Sequence, residues 1–549
     1  MKKILFAALM AVTGITYSQA PVWQWANVQA GRTSADGSIG IAKDASSNIY
    51  TIGDFEGVQN VGANTFSPIG FNDVFVSKAD LVGNISWSVQ FGGQSNFAKA
   101  AAIGVDASGN SYIVGSFTYI MIVGPNTFTS FGQKDMFLAK LDQLGNVLWS
   151  KQIGGPGDED PSTLIVDGAT IYLAGSYAQT FTDGTVTYPA TISNSQDIFF
   201  AKYDTSGTCI NAVKFGGTQP DRASSLSVNG SSIYMAGYFA GSNVAFGSTN
   251  LTSLGANDAF VAKLDPSGTV IWAKSAGKQS NDQALGVTQD GSGNCFLGGI
   301  FYGTNVVFGP GVTMSESQGY GDGFVVKYNG STGAAVWARK VSGPFPDMIT
   351  SVSADLLGSV YVTGYFNNTA VLSSTVTPTA SLATLGGKDV FAAKYSGNGS
   401  LMWSVTMGST NDDIGKVIIC DNTGHVNISG NFYGTVTPGN LAPIQSSGTS
   451  FSIFNASVNG FTTGLNQIKE NSAFVLFPNP ASGSTEVSTG KDPLQSYELY
   501  NVMGQLMSTE NFVSTTTSCT INLDGFTPGN YFLTVKTKSG VTSKMLKVD

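Results

Sequence analysis

Charge is what this chain has least of. Of its 549 residues only 11 % are Asp, Glu, Lys or Arg, where an ordinary soluble domain carries about 25 %. The 27 basic residues are outnumbered by 36 acidic ones, giving a formal charge of −9, so there is no basic footprint for nucleic acid. A single histidine, His425, excludes histidine-clustered metal centres and leaves any proton relay one imidazole at most. The four cysteines, Cys209, Cys295, Cys420 and Cys519, stand far apart without paired spacing; they read as small, free thiols and not as a disulfide framework. There is no Gly-rich phosphate loop, no Gly-x-Ser-x-Gly elbow leading into a helix, and no amphipathic helix. Beyond the first 20 residues no apolar run is long enough to span a bilayer, so no transmembrane segment is expected.

What is plentiful is glycine, at 68 residues, and aromatic side chains, at 11 %. That composition suits a β protein with many turns. Met1, Lys2 and Lys3 precede an apolar stretch from Ile4 to Ile15 broken only by Thr13 and Gly14, the pattern of a signal peptide at residues 1–20. A cut after Ser18 or after Ala20 is expected, with an exported mature chain.

Self-similarity decides the architecture. An aromatic, Gly, aromatic pattern recurs as Tyr50, Gly53, Phe55, then Tyr112, Gly115, Phe117, and so on to a weaker Asn427, Gly430, Phe432, seven times in all. An Asp, Phe, Lys pattern runs in step, from Asp73, Phe75, Lys78 to Asp389, Phe391, Lys394, with Ser452, Phe454, Ser457 as a decayed seventh copy. A third pattern carries Trp25, Trp87, Trp149, Asn211 in a Trp slot, Trp272, Trp337 and Trp403, at intervals of 62, 62, 62, 61, 65 and 66 residues. Each pattern alternates apolar side chains with period two and reads as a strand. With a fourth strand upstream, such as Ala101 to Val105, the unit is a four-stranded blade. Asp opens the turns between strands and Gly closes them, as in Asp106 to Gly109 and Asp142 to Gly145.

One such sheet buries little alone, so the units stack radially into a propeller. Because the Trp strand comes first, at Trp25, and is missing after Phe454, Val22 to Val28 is expected to supply the outermost strand of the last blade and close the ring. The fold class is therefore all-β: a seven-bladed β-propeller of four-stranded blades over residues 21–460, then a linker at 461–473 and a small immunoglobulin-like β-sandwich at 474–549.

Parity of the strands puts the long inserts, such as Glu56 to Asn72 and Thr118 to Lys134, on one face, where binding is expected. On the same side an acidic residue recurs: Asp36, Asp160, Asp221, Asp282, Asp347 and Asp413, with Ala98 as the exception. Each caps backbone N–H groups at the entry to the innermost strand, the reading favoured for a repeated residue; the alternative is an acidic ring holding Ca2+ or a basic ligand group. No cofactor is otherwise expected. The recurrent Lys, such as Lys140 and Lys263, is expected to pair with an Asp of the adjoining turn, Asp142 or Asp265, and the Trp residues to pack between blades. No blade visibly breaks the symmetry, and no catalytic residue is assigned.

The Asp-x-x-Gly-Asn turn, the Tyr-x-x-Gly-x-Phe and Asp-x-Phe-x-x-Lys strands and the Trp87 to Gly93 ending resemble the β-propeller repeat family of bacterial surface proteins, over about 22–460. That resemblance carries over no catalytic residue. The tail is more specific. Pro478, Asn479 and Pro480, then Tyr497 to Leu506 through Gly504, then Leu523 to Val535 through Gly529 and Tyr531, then Lys544 to Val548 through Lys547, resemble the type A C-terminal sorting domain of the type IX secretion system. The resemblance implies an antiparallel sandwich of about seven short strands, recognised by the outer-membrane translocon, in a Bacteroidota cargo protein that is released or held at the cell surface. The leading expectation is a non-catalytic scaffold binding an extracellular protein or glycan. The competing one is a glycoside hydrolase or lyase using Asp or Glu on the long-loop face.

Overall fold

The computed structural model describes residues 21–33, 37, 39–183, 185–189, 195–316, 320–374, 379–422, 424–446, 450–459, 474–490, 492–501, 506–513, 515–538 and 540–548. The signal peptide, the 461–473 linker, Asp36 and Gly504 lie outside them. The chain divides into two compact units, Met1–Thr462 and Thr463–Asp549. Among the described residues all regular structure is β, and no helix is long and apolar enough to cross a membrane.

The first unit is a ring of seven blades. Blade one runs Ile39–Lys43, Ile49–Phe55, Asp73–Ala79 and Ile85–Phe91, each strand antiparallel to the last. Blades two to six repeat that order, with innermost strands starting at Lys99, Glu159, Arg222, Gln283 and Met348. Blade seven contains Ile414–Cys420, His425–Phe432 and Phe451–Asn459, and its fourth strand is Val22–Thr33 from the other end of the chain. Trp25 lies opposite Ser457 and Val28 opposite Phe454. The circle closes as the order of patterns requires.

What makes the blades stack is that their apolar faces are shared. Tyr50 and Ile52 of blade one are buried together with Ala100, Ile103 and Ile113 of blade two, and Ile39 and Phe75 of blade one with Ile453 of blade seven. Fully burying such side chains contributes about 1.5–3 kcal/mol each, and no blade could bury both of its faces alone.

The Trp strand adds a polar latch. Trp25 donates its indole N–H to the Leu81 carbonyl at 2.7 Å, Trp87 to Gln143 at 2.8 Å, Trp149 to Thr205 at 3.1 Å and Trp337 to Gly397 at 3.0 Å, each reaching a turn of the next blade. Asn211, in the slot without Trp, makes the same bond through its amide to Ser267 at 2.5 Å. The first of these latches joins blade seven to blade one.

The turns behave as the Asp and Gly signals require. Asp142 accepts from the Leu144 and Asn146 amides at 2.8 and 2.9 Å, and Gly145 closes the turn at φ +87°. The recurrent Lys departs from expectation. Lys140 faces Asp106, of the turn between strands one and two, at 4.0 Å and not Asp142. Lys263 donates to the Gly330 carbonyl of the next blade at 2.7 Å and not to Asp265. In each case the ammonium lies over the ring of the second strand's Tyr, 5.0 Å from Tyr112 and 5.4 Å from Tyr234. The cause is register: Lys140 sits opposite Tyr112, which turns it toward the strand one to two turn.

The long inserts are hairpins in their own right, such as Gln59–Val61 with Asn64–Phe66 and Ile120–Val123 with Asn126–Thr129. In blade six the hairpin is continuous with the strands Val360–Leu372 and Ala380–Tyr395, and Val341 of blade five pairs with Leu372.

The second unit is a sandwich of seven strands among the described residues. One sheet holds Val475–Phe477, Ser484–Ser488 and Ser518–Asn522; the other holds Leu506–Asn511, Leu494–Asn501, Gly529–Thr537 and Gly540–Val548. Leu499, Ile521, Leu533, Val535 and Leu546 fill the space between them.

Candidate functional site

The innermost strands of all seven blades line a central channel. Its mouth is a cavity of about 500 Å3, to which every blade contributes, from Gly37 and Ile39 in blade one to Lys416 in blade seven. A second cavity of about 420 Å3, sharing part of that lining, continues along the channel past Ile41, Ile103, Ser227 and Ser353.

Two positions give the mouth its chemistry. The residue one before the last regular pair ahead of the bulge, aligned by its partner in strand two, is Lys99, Asp160, Arg222, Gln283, Met348 or Ile414 in blades two to seven. No two blades agree. Two residues further on, each of these six strands carries a β-bulge, and the extra residue is Ala101, Ser162, Ser224, Leu285, Thr350 or Lys416. All six line the mouth. A bulge re-aims a side chain without breaking the strand; here it turns one residue inward in each of these six blades. The first position differs in all six blades and the second coincides only at Ser162 and Ser224, in a chain that repeats elsewhere. Period-two reading does not register an extra residue, so the signal in the sequence was only that these positions vary.

Asp160 is the one carboxylate among the described residues of the mouth. Lys134 approaches it at 2.6 Å and Arg222 at 3.1 Å, and the Arg222 Nε–H also reaches the Ser176 hydroxyl at 3.3 Å. The other described acidic positions, Asp221, Asp282, Asp347 and Asp413, do not line the cavity. Asp221 accepts from the Gly217 amide at 2.7 Å and the Ala240 amide at 3.2 Å; Asp282 accepts from Lys278 and Tyr302 at 2.9 and 2.8 Å. Asp413 accepts from Ser409 and Tyr433 at 2.5 and 3.0 Å, and Asp347 from Asn367 at 3.0 Å. Each clips the segment entering the blade to the end of its second strand, and all four are fully buried. In blade three Glu159 occupies this place, accepting from Gly155 at 3.0 Å, so Asp160 is one residue out of register with the others. In blade two, where Ala98 stands, Asn96 accepts from the Thr118 amide at 3.1 Å.

Burial pushes Asp221, Asp347 and Asp413 up to about 7 and Glu159 up to about 8. The third-strand Asp of the preceding blade adds to the rise: Asp197 for Asp221, Asp322 for Asp347, Asp389 for Asp413 and Asp135 for Glu159. These are carboxyls that hold protons near neutrality. Among the described residues no group of three or more His, Cys, Asp or Glu side chains could hold a metal ion.

Around the mouth the long-loop face exposes apolar tips at one repeated position, Ile69, Phe131, Leu254 and Leu385. The backbone N–H of each is held by the third-strand Asp four residues on, at 2.9 to 3.0 Å. Phe71 and Phe97, also exposed, stack with their rings 4.5 Å apart.

In the second unit the sorting motif draws together. Asn479 accepts from the Lys547 amide at 2.9 Å, Ala481 donates to the Lys547 carbonyl at 2.8 Å, and the Pro478 carbonyl accepts from Thr485 at 2.8 Å. Lys544 donates to the Phe474 carbonyl at 2.5 Å with its ammonium 5.1 Å from the Phe474 ring centre. Tyr531 donates to the Thr527 carbonyl at 2.8 Å, and Gly529 opens its strand. The segment holding Pro478 and Pro480 is thus bonded to the last strand.

Residues 475–549 match the family described as the secretion system C-terminal sorting domain. The tail is a type IX sorting domain. It marks the protein for export by that system to the cell surface or extracellular space, and it is the part the secretion machinery recognises. The propeller is similar to an uncharacterized WD repeat-containing protein of Acanthamoeba polyphaga mimivirus, 24 % identical over 394 residues, or 57 % of this chain and 27 % of the relative. It is also similar to the regulatory protein FlaEY of Caulobacter vibrioides, 24 % identical over 293 residues, 49 % of this chain and 29 % of the relative. The chain therefore spans less than a third of the length of the curated relatives it matches. Among solved structures, one in the crystal structure of a mitotic checkpoint complex covers 83 % of this chain and 98 % of its own at 11 % identity and a TM-score of 0.41. The extracellular domain of a hybrid two component system from B. thetaiotaomicron covers 93 % of this chain and 80 % of its own, at 10 % identity and a TM-score of 0.23.

Proposed function

We propose that this protein is an exported binding scaffold whose propeller captures an extracellular protein or glycan at the channel mouth and the surrounding long-loop face. The observation that carries the reading is the pair of variable rings. Residues that serve the blade recur from blade to blade, as the capping carboxylates and the Trp latches do; a ring free of that duty, varying among the six described blades, is available for a ligand. The exposed Ile69, Phe131, Leu254 and Leu385 tips enlarge the same face.

Cleavage of a glycosidic bond by two carboxylates needs a second acid near the first, and Asp160 stands without another in the described mouth, engaged by Lys134 and Arg222. A glycan array and a polysaccharide-hydrolysis screen on the exported chain test the reading. Saturable binding without turnover, abolished when Arg222 and Asp160 are replaced by Ala, supports it. Turnover of any polysaccharide replaces it with an enzyme.

A further inference from the structure

The segment that leads from one blade into the next is held by the same backbone bond at six junctions among the described residues. Ala98 donates its N–H to the Asn72 carbonyl at 3.2 Å, Glu159 to Lys134 at 2.9 Å and Asp221 to Gln196 at 2.8 Å; Asp282, Asp347 and Asp413 donate to Asn257, Gly321 and Lys388 at 2.8, 3.2 and 2.6 Å. What stands beside that bond is not the same. Two residues ahead of the third-strand Asp, blades one to six carry Phe71, Gln133, Ser195, Ala256, Tyr320 and Gly387. The two aromatics each meet a ring of the following segment. Phe71 stacks on Phe97 with centroids 4.5 Å apart and planes at 11°, and Tyr320 lies over Phe345 at 6.2 Å and 28°. All four are exposed, by 42 to 60 %, and no other ring pair among the described residues has both members exposed. A stack that served the junction would recur with it; these occur at two junctions of six and leave aromatic surface in water. The junctions are those between blades one and two and between blades five and six. In a ring of seven blades this sets the two stacks on opposite sides of the channel.

We infer that the two stacks are platforms for an uncharged polysaccharide, each taking the C–H face of a hexose while the chain runs over the channel mouth between them. The inference rests on the binding reading above and names its ligand class. A pyranose with equatorial hydroxyls presents a flat C–H face, which an aromatic ring matches by dispersion without calling for a charge. The first platform is held in place by its backbone: the Phe71 N–H is bonded to the Asn96 carbonyl at 2.9 Å and the Phe97 N–H to the Thr118 hydroxyl at 3.0 Å. Little side-chain freedom is therefore lost on binding. Two small aromatic sites with the hydroxyls of Ser162, Ser224 and Thr350 in the mouth between them suit a long ligand touched at intervals, whereas the hot spot for a folded partner is one contiguous cluster. The net charge of −9 repels polyanions and is indifferent to a neutral chain.

The test is calorimetric titration of the exported chain with cellohexaose, laminarihexaose, mannohexaose and hexagalacturonate. Binding of at least one uncharged hexamer is expected, weakened about tenfold by Phe97→Ala and about tenfold by Phe345→Ala. The two losses should combine in the double variant, because the stacks share no partner. Phe97→Trp should keep or raise the affinity, and Ile271→Ala, on the exposed outer strand of blade four, should leave it unchanged. If Phe97→Ala melts early, Phe71→Ala carries the same comparison. Affinity for the uncharged hexamers that is indifferent to both Phe substitutions, or binding of hexagalacturonate alone, would leave the scaffold reading standing and overturn the platforms. So would capture of a culture-medium protein through Phe97 with no hexamer bound, which would assign the stacks to a protein partner. Turnover of a hexamer would remove the scaffold reading and the inference with it.

Discussion

Asp221 and Arg222 are neighbours at the entry to one strand, and they obey opposite rules. The place of Asp221 is filled by a buried carboxylate in five blades, Glu159, Asp221, Asp282, Asp347 and Asp413, each accepting backbone N–H groups. The place of Arg222 differs in every blade where it is described, and in blades two to six it lines the channel mouth. One position answers to the blade's own hydrogen bonds, which recur in these five blades. Its successor points to the axis, where seven blades share a single space and no two need agree.

Breaking the ring itself should have the largest effect. Phe454 is fully buried opposite Val28 of the closing strand, so Phe454→Ala is expected to cost about 3–5 kcal/mol, read as a lower denaturant midpoint. Removing residues 21–33 should do more, leaving Phe451–Asn459 as an unpaired edge and the propeller prone to association by light scattering.

The neighbouring pair sharpens the contrast. Asp221→Ala leaves two buried N–H groups, of Gly217 and Ala240, without their acceptor and is expected to cost about 1–3 kcal/mol, with ligand affinity retained. Arg222→Ala removes a part-exposed ion pair worth about 1 kcal/mol or less, and the affinity should fall instead. Thermal melts and titrations on both variants check the crossed outcome.

The capping carboxyls also predict a pH profile. Folded values of about 7 to 8 at Glu159, Asp221, Asp347 and Asp413 lie above ordinary carboxyl values near 4. Across that window the folded chain binds more protons than the unfolded one, so this contribution is present in full below about pH 4 and is lost as pH rises through about 8. The melting temperature should therefore fall between about pH 5.5 and about pH 8.5, and Asp221→Asn with Asp347→Asn should flatten the slope.

The smallest effect is expected at Asn211, whose amide already makes the latch to Ser267. Asn211→Trp should add at most about 1 kcal/mol by packing, seen as a small rise in melting temperature.

Much of this molecule could be read from one dimension. Repeats at 62 residues, apolar alternation and Asp/Gly turns are local signals, and the displaced Trp25 strand announces its own partner, so blades and closure follow from order alone. The tail likewise carries its motif in contiguous segments. Three things did not follow. Lys140 chose Asp106 and Tyr112 over Asp142 because cross-strand register, and not distance along the chain, sets a side chain's neighbours. Asp160 left the ring of caps because Glu159 took the place one residue earlier. The bulges at Ser162, Thr350 and Lys416 escaped because an extra residue is defined only against the strand it pairs with.

The amino-acid order thus settled the blade, the count of blades, the closing strand and the address carried by the tail, all of which depend on periodic burial and on turn chemistry within a few residues. The composition of the channel mouth was decided only on folding. Lys99, Asp160, Arg222 and Lys416 are separated by some sixty residues or more along most of the chain, and it is the curvature of seven stacked sheets that brings them to one axis.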